Sequence, residues 1–508
     1  MNYRRSVGAV LSTAALIAAM SPVAAFAQTS GDGITDVADV NVTVSGLTAG
    51  DTATAYQVFD AYIDGYNVLQ YKAAQKLPSD YDTINELKKP KPGETESDHA
   101  KAAADAYSKV FADGTATANV SNVTAKAGED GKATFSGLDS GYWVVVVTST
   151  SGTAKVYQPT TIDVSPTEKG GAWAPNTRAA LEGNQIKSQP VTVNKGVGEN
   201  YEKKTDQYSV GKDVPFKVTT NVPNYPADSK DATFKITDTP TAGLVIDTES
   251  ITVKVGNTPT TMVTVWQSGA ATTDGAAAFK TDTTKQASGG YTFDFAKEYV
   301  LAHPGEDVEI TYNAKLTSAA FSHSADDVTG NTAQVTFNPN PYSEKTVTPE
   351  DKTTVQTYGF VFTKVDKDQH ALEGAVFTLY DKDGNEVKDE NGYAKTSTST
   401  IVNGNAYVYF EDLGAGTYTA KETTVPAGKT KADDVTINLN KDDAATDNPA
   451  TTDVTENNYA VLETPVTDGN QPLLPVTGEA GTLFITIGGV ALIGAACIVV
   501  SRSRKRSE

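Results

Sequence analysis

Short runs of valine- and threonine-rich sequence fill the middle of the chain, and this pattern constrains its fold more than any other feature. Most of the runs alternate apolar with polar residues, and turn residues such as glycine and aspartate separate them. Many short strands of this kind are typical of β-sandwiches. An alanine-rich stretch over residues 98–111 instead indicates a helix. The sequence therefore predicts an all-β chain of tandem immunoglobulin-like sandwich domains, with a helical insertion in the first domain.

The chain has 508 residues, a length that suits about three domains. Shifts in composition divide it into successive segments. The stretch 343–352 reads as a short linker, and the proline-, glycine- and asparagine-rich stretch before residue 474 reads as a flexible tether. The predicted segments are a signal peptide over 1–27, an N-terminal domain over 28–185, a middle domain over 186–345, a C-terminal domain over 355–465, a tether over 466–473 and a sorting signal over 474–508.

The first 27 residues have the three parts of a secretory signal peptide. Arg4 and Arg5 form a basic start, residues 7–20 form a small apolar core, and residues 25–27 (Ala-Phe-Ala) form a small–x–small cleavage site. A retained membrane anchor is the alternative, but the apolar core is short and a cleavage site follows it. We therefore expect export and a mature chain that starts at Gln28.

Three features follow one another at the C-terminal end. The first is a pentapeptide made of Leu474, Pro475, Val476, Thr477 and Gly478. An apolar run over 481–500 is about long enough to cross a bilayer as a helix, and four basic residues over 502–506 would hold its end in the cytoplasm. The arrangement resembles the cell-wall sorting signal of Gram-positive bacteria. That resemblance implies that a sortase attacks the Thr477 carbonyl, releases Gly478 onward and passes the acyl group to an amine.

The composition excludes several classes of function. Acidic residues outnumber basic ones by 63 to 42, a net charge of −21 that argues against nucleic acid as a partner. The four histidines are dispersed, and there is no credible nucleophile–base pair, so we expect no metal, no cofactor and no enzyme activity. The only cysteine, Cys497, lies in the C-terminal apolar run. An exported chain without disulfides must be stabilised in another way.

Strand alternation places a lysine, an acid and an asparagine on apolar faces, once in each of two domains. In the middle domain these residues are Lys195, Asp238 and Asn331. In the C-terminal domain they are Lys364, Glu422 and Asn458, with Asn457 as the alternative to the last. Burial lowers the pKa of a lysine and raises that of a carboxyl group, which favours a neutral amine and a neutral acid.

This constellation suits an amide bond formed within the domain. The neutral amine would attack the asparagine carbonyl, the acid would polarise that carbonyl and shuttle protons, and ammonia would leave. Two plainer explanations remain for each set: the residues are exposed at strand ends, or the lysine and the acid form a buried ion pair. The same ordered triple in two domains favours the amide bond.

Three sequence motifs resemble one family. Residues 418–428 resemble the pilin E-box, residues 363–366 with 372–377 resemble the opening strands of a Cna-B domain, and residues 210–216 with 238–244 resemble the preceding domain of isopeptide-forming fimbrial proteins. Together with the sorting signal, the chain resembles the SpaA-type major (backbone) pilins of sortase-assembled pili. The resemblance implies a structural subunit of a surface pilus, with Cna-type sandwich domains and a role in adhesion.

The resemblance also implies partners and bonds. A pilus-specific sortase would join Thr477 to a lysine of the next copy, and a housekeeping sortase would attach the polymer to peptidoglycan; minor pilins and host or carbohydrate ligands are further expected partners. Lys187 is the first choice of acceptor, and Lys169 and Lys195 are the alternatives. The implied internal bonds are Lys195–Asn331 assisted by Asp238 and Lys364–Asn458 assisted by Glu422, each from the first strand of a domain to its last.

Two other functions stay open on the sequence alone. One is a monomeric wall-anchored adhesin, in which the sandwich domains form a stalk. The other is a minor pilin at the base or tip of a pilus. Either would be secreted and found at the cell wall, after a precursor stage in the plasma membrane.

Overall fold

The computed structural model describes residues 28–29, 35–36, 39–74, 77–112, 120–149, 154–176, 184–257, 259–280, 289–320, 329–439 and 459–471. The predicted signal peptide and sorting signal, with its apolar run, lie outside these ranges. Within them, no helix has the length and apolar character needed to cross a membrane. The chain divides into two compact units, one with residues up to 188 except 152–156, the other with those five residues and everything from 189.

The N-terminal unit combines β-sheets with two helices. One sheet follows the order β1-β2-β4-β8-β10, with β5 and β6 also paired to β4, and a smaller sheet follows the order β13-β3-β7. Valines and alanines at alternate positions of β3, β4 and β8 fill the core between them. The strands up to the boundary of the units are β1 Gln28–Thr29, β2 Thr35–Asp36, β3 Val40–Ser45, β4 Thr52–Ile63, β5 Leu69–Ala73, β6 Asn122–Lys126, β7 Ala133–Leu138, β8 Gly141–Thr148, β9 Lys155–Tyr157, β10 Thr160–Asp163, β11 Thr167–Lys169, β12 Ala172–Ala174, β13 Asn184–Gln185 and β14 Ser188–Pro190.

The predicted helical insertion is confirmed. It contains a 3-10 turn at Ser79–Tyr81, helix α1 (Ile84–Lys88) and helix α2 (Glu96–Ala112). The Thr95 hydroxyl accepts a hydrogen bond from the Asp98 amide, which caps the start of α2. Ala103, Tyr107 and Phe111 recur every four residues, so they share one helix face. That face packs on the side of β4 and β8 that the main core leaves free.

The middle domain is a sandwich of two sheets. One sheet follows the order β15-β17-β24-β20-β21-β22, with β19 paired to β24; the other follows the order β16-β26-β25-β18-β23. Alternate residues of both sheets form one apolar cluster. The elements are β15 Val193–Val197, β16 Thr205–Gln207, β17 Asp213–Asn221, β18 Phe234–Pro240, β19 Leu244–Ile246, a 3-10 turn Thr248–Ser250, β20 Thr252–Gly256, β21 Val263–Gln267, β22 Ala270–Ala271, β23 Tyr291–Asp294, α3 Lys297–Ala302, β24 Asp307–Leu316, a 3-10 turn Ser318–Ala320, β25 Thr329–Phe337 and β26 Glu350–Gln356.

The C-terminal domain is a second two-sheet sandwich. Its sheets follow the orders β30-β31-β27-β35-β33 and β29-β28-β32-β34, and one apolar cluster lies between them. With this domain the prediction of tandem β-sandwiches is confirmed. Its strands are β27 Tyr358–Asp366, β28 Val376–Asp381, β29 Thr396–Thr398, β30 Thr400–Val402, β31 Asn405–Leu413, β32 Gly416–Thr424, β33 Lys429–Thr430, β34 Val435–Leu439 and β35 Tyr459–Asn470.

Two segments differ from the sequence expectation. Residues 350–352, expected in a linker, begin β26, which pairs antiparallel with β25 and parallel with β16. Their polar character reflects an edge of the sandwich, where Asp351 accepts a hydrogen bond from the Lys195 amide at 2.7 Å. Residues 466–470, expected in the tether, continue β35, where 466–468 pair with β27 and 469–470 pair with β33. Pairing there is favoured because Asp468 is buried against Lys364.

Candidate functional site

The three polar residues of the middle domain meet in its core. Lys195 lies on β15 in one sheet, while Asp238 on β18 and Asn331 on β25 lie in the other. All three are at most 1% exposed, so none is a surface residue at a strand end. Asp238 pairs with Ala333 across the ladder, which makes Asp238 and Asn331 diagonal neighbours on the same face. Because β26 follows β25, Asn331 lies on the next-to-last strand of the domain rather than the last.

A tyrosine that the sequence reasoning missed holds the three residues together. The Lys195 Nζ atom donates hydrogen bonds to Asp238 Oδ2 and, at 2.6 Å, to the Tyr312 hydroxyl. That hydroxyl donates to Asp238 Oδ2 at 3.0 Å and accepts from Asn331 Nδ2 at 2.8 Å. Its one hydrogen and two lone pairs are therefore all used. Tyr291 also donates to Asp238 Oδ2, at 3.4 Å.

Burial sets the protonation states in this cluster. It lowers the pKa of the Lys195 amine below its ordinary value, although the Asp238 charge opposes the shift. Burial also raises the pKa of the Tyr312 and Tyr291 hydroxyls well above their ordinary value, and the Asp238 charge adds to that shift. The tyrosines therefore stay protonated donors, while the neutral, nucleophilic form of Lys195 becomes easier to reach.

Two buried oxygen atoms in the cluster have no hydrogen-bond donor within the described chain. They are Asp238 Oδ1 and the carbonyl oxygen of the Asn331 side chain, Oδ1. Both are acceptors when Asp238 is ionised, so neither can satisfy the other. A proton on Asp238 would turn it into a donor for an amide carbonyl. The arrangement thus has a nucleophile, an acyl group and an acid in the roles that amide formation requires.

The C-terminal domain has a second buried lysine site. Lys364 on β27 donates a hydrogen bond from Nζ to Asp468 Oδ1 on the neighbouring strand β35. Glu422, on β32 of the facing sheet, is 3% exposed, and its Oε2 accepts from the Ala432 amide at 2.7 Å. Lys364 and Glu422 therefore lie in the core, as strand parity predicted. Asn457 and Asn458 lie outside the described residues.

Asp468 is the residue that the sequence reasoning missed in this domain. One signal could have found it: residues 466–468 read Val-Thr-Asp, two β-branched residues that favour a strand, followed by an acid on the same face as Val466. Burial raises the pKa of Glu422 and the Asp468 charge adds to the shift, while the hydrogen bond from the Ala432 amide and the Lys364 charge oppose it. Glu422 Oε1 and Asp468 Oδ2 have no donor in the described part of the chain. One proton shared between the two groups would satisfy both oxygens.

The candidate acceptor lysines differ in accessibility. Lys187 and Lys169 are exposed, whereas Lys195 is 1% exposed and out of reach of another protein in the folded domain. Lys187 directly follows β13 and the buried Ile186, whose amide donates to the Ser45 carbonyl at 2.8 Å. Lys169 ends β11 of a small exposed hairpin. Thr477 and the rest of the sorting signal lie outside the described residues.

Comparison with known families matches two parts of the chain. Residues 359–455 match the SpaA family, described as a prealbumin-like fold domain. Residues 467–508 match the LPXTG cell wall anchor motif. No curated protein sequence matches the chain.

Comparison with solved structures extends the likeness to most of the chain. The T6 backbone pilin of serotype M6 Streptococcus pyogenes, a modular three-domain protein, aligns with a TM-score of 0.62 and 17% identity, over 88% of this chain and 100% of that one. Two major pilins of Corynebacterium diphtheriae, SpaD and SpaA, each align with a TM-score of 0.50 over 85% of this chain. The identity is 16% for SpaD, over 98% of its length, and 15% for SpaA, over 100% of its length. The SpaA structure points to a modular pilus assembly with stabilising isopeptide bonds. At these identities the alignments establish the fold.

Proposed function

We propose that this chain, a SpaA-type pilin with an LPXTG cell-wall anchor, is polymerised by a sortase and stiffened by amide bonds inside its own domains. A SpaA domain, the anchor motif and the backbone-pilin fold together support a secreted, cell-wall-anchored structural subunit of a pilus. The solved proteins that share the fold are structural pilins. Polymerisation and the internal bonds go beyond these matches and rest on the residues described above.

The buried cluster around Tyr312 is the observation that carries the internal bond. Lys195 transfers a proton to Asp238 and attacks the side-chain carbonyl carbon of Asn331. Protonated Asp238 polarises that carbonyl, passes its proton to the departing nitrogen and takes up the second proton of the lysine nitrogen, so a C–N bond forms, another breaks, ammonia leaves and Asp238 ends protonated. Placement in a buried, fixed geometry makes such a reaction effectively unimolecular and therefore fast.

The bond would join the two sheets of the middle domain. Lys195 lies on the first strand of one sheet and Asn331 on a central strand of the other. A pull applied between these strands would then load a covalent bond instead of a row of backbone hydrogen bonds. The competing explanation is an unlinked buried ion pair between Lys195 and Asp238. Such a pair leaves the Asp238 and Asn331 oxygens without donors, which is costly in a core.

The intact mass of the mature chain separates these explanations. Each bond to an asparagine makes the protein about 17 Da lighter than its sequence, because one ammonia is lost. An ion pair leaves the mass unchanged. A middle domain at its full sequence mass would rule out the Lys195–Asn331 bond.

The exposed Lys187 is the proposed acceptor for the Thr477 carbonyl of the next copy. It lies two residues after the end of β13 and is exposed, which leaves its amine open to a sortase-bound acyl group. Cell-wall extracts should show a ladder of covalent polymers on a denaturing gel, and Lys187→Arg should collapse it. Lys169→Arg is the matched control and should leave the ladder intact. A single band from the unmodified protein would instead favour a monomeric anchored adhesin.

A further inference from the structure

We propose that the C-terminal domain forms its internal amide bond between Lys364 and Asp468, with loss of water. The inference rests on the proposed amide-bond chemistry, but it names an acyl donor other than the expected asparagine. One chain would then carry two reactions: a transamidation in the middle domain and a condensation in the C-terminal domain.

The strand register selects Asp468. On the parallel strand β35, Val466 lies opposite Lys364 and Asp468 lies opposite Asp366. The Lys364 Nζ atom contacts the Asp468 carboxylate and lies 3.5 Å from the Val466 carbonyl oxygen. Lys364 and Asp468 are both 0% exposed. The amine therefore already contacts the carboxylate whose carbon it would attack, and both side chains are shielded from bulk solvent.

The start of β35 lies far from the lysine. Tyr459, its first residue, pairs with Gly359. Gly359 and Lys364 are five residues apart on β27, which is roughly 16 Å along a strand. The chain therefore enters β35 at the other end of β27 from Lys364, and it is the far end of β35 that reaches the amine.

A simple ion pair does not account for the charges in this core. Lys364 carries one positive charge, whereas Asp468 and Glu422 together would carry two negative ones if both were ionised. An uncompensated charge is expensive to bury, so one carboxyl group holds a proton. The raised pKa of Glu422, which burial and the Asp468 charge produce, places the proton there. Glu422 Oε1 can then donate to Asp468 Oδ2, which supplies both oxygens with a partner.

The reaction balances with these three groups alone. Lys364 gives one proton to the Asp468 carboxylate, which produces a neutral amine and a neutral acid. Nζ attacks the Asp468 side-chain carbon while Glu422 donates a hydrogen bond to the developing oxyanion. A second amine proton moves through Glu422 to the leaving hydroxyl, so a C–N bond forms, a C–O bond breaks and water departs. Glu422 ends in the protonation state in which it began, and no oxidant or cofactor is needed.

The test is the mass and peptide map of the full mature chain and of five variants. The wild type should contain a cross-linked peptide pair joining Lys364 to Asp468, about 18 Da lighter than the sum of its two free peptides because water was lost. Asp468→Ala should lack that pair, whereas Asn457→Ala and Asn458→Ala should keep it. Asp468→Asn should reach the same final mass as the wild type, since it starts as an amide and releases ammonia instead.

Each other outcome overturns the proposal. Free Lys364 and Asp468 peptides in the wild type would mean an ion pair without a bond. Loss of the cross-link in Asn458→Ala with its retention in Asp468→Ala would make the asparagine the donor. Glu422→Gln covers the case in which Asp468→Ala fails to fold, because it keeps the ion pair and the side-chain volume but should leave the two peptides unlinked. The gel ladder and the Lys195–Asn331 mass change are separate readouts, so failure here is distinguishable from failure of the proposed function.

Discussion

Replacing Asn331 with alanine removes the acyl group that Lys195 would attack, while the lysine and Asp238 remain paired. The proposed bond would close a loop of roughly 140 residues, and the loss of chain entropy in the unfolded state from such a cross-link is worth about 5 kcal/mol. The lost hydrogen bond from Asn331 to Tyr312 adds about 1 kcal/mol. For a domain of roughly 150 residues, the combined loss of about 6 kcal/mol corresponds to a drop of roughly 12–24 °C in Tm.

Calorimetry and intact-mass spectrometry on the same mature samples check this. Asn331→Ala should lose the deficit of about 17 Da that ammonia release produces, and the transition of the middle domain should move down by roughly the amount above. Gln334→Ala is the matched control, because it removes an amide from the exposed side of the same strand, where Gln334 contacts Glu350. It should keep the mass deficit and change stability by less than about 0.5 kcal/mol. A wild type without a deficit, or an Asn331→Ala transition within a few degrees of the control, would refute the reasoning.

Three further predictions follow from the two sites. Tyr312→Phe should slow ammonia release from newly folded protein by about tenfold or more, because it removes the hydroxyl that contacts all three reacting groups. Tyr291→Phe should slow the release less, because the Tyr291 hydroxyl contacts only Asp238, at 3.4 Å. In the unlinked variant Asn331→Ala, the pKa of Lys195 is lower in the folded state than in the unfolded state. Between these two pKa values the unfolded state binds more protons, so the free energy of unfolding should rise with pH in that range. Denaturant titrations of the double variant Asn331→Ala with Lys195→Met should lack that rise. Glu422 must be protonated to assist Lys364, so the time course of water loss, followed by mass spectrometry after refolding, should slow as pH rises above the raised pKa of Glu422; a pH-independent rate would exclude this role.

Strand alternation explains why much of both sites was visible in the sequence. Five polar residues each continue an apolar strand face with a period of two, and the structure places all five in the domain cores. They are Lys195, Asp238, Asn331, Lys364 and Glu422. A charged or amide side chain in such a row stands out because burial without a partner is costly. The domain folds follow from the same alternation, and the helical insertion from its alanine-rich run.

The site residues that were not predicted do not differ visibly from their sequence surroundings. Tyr312 and Tyr291 look like ordinary core aromatics, and only the packing of the two sheets brings their hydroxyls to Asp238. Asp468 lies in a stretch whose proline, glycine and asparagine content suggested a tether, although the register shift between Phe362 and Lys364 keeps that stretch in the sheet. Residues 350–352 begin β26 beyond the point where it pairs with β16, and their polar side chains resemble those of a linker. In each case the structure depends on contacts between strands that are far apart in the sequence, and local composition carries no information about such contacts.

The junction between neighbouring copies gives the most direct test of the pilus assignment. Polymers released from the cell wall can be digested and their branched peptides sequenced by tandem mass spectrometry. The prediction is a branched peptide in which the Thr477 carbonyl is joined to the side-chain amine of Lys187. Polymers in which Lys187 is always free, or Thr477 found only on the wall cross-bridge of single copies, would contradict it.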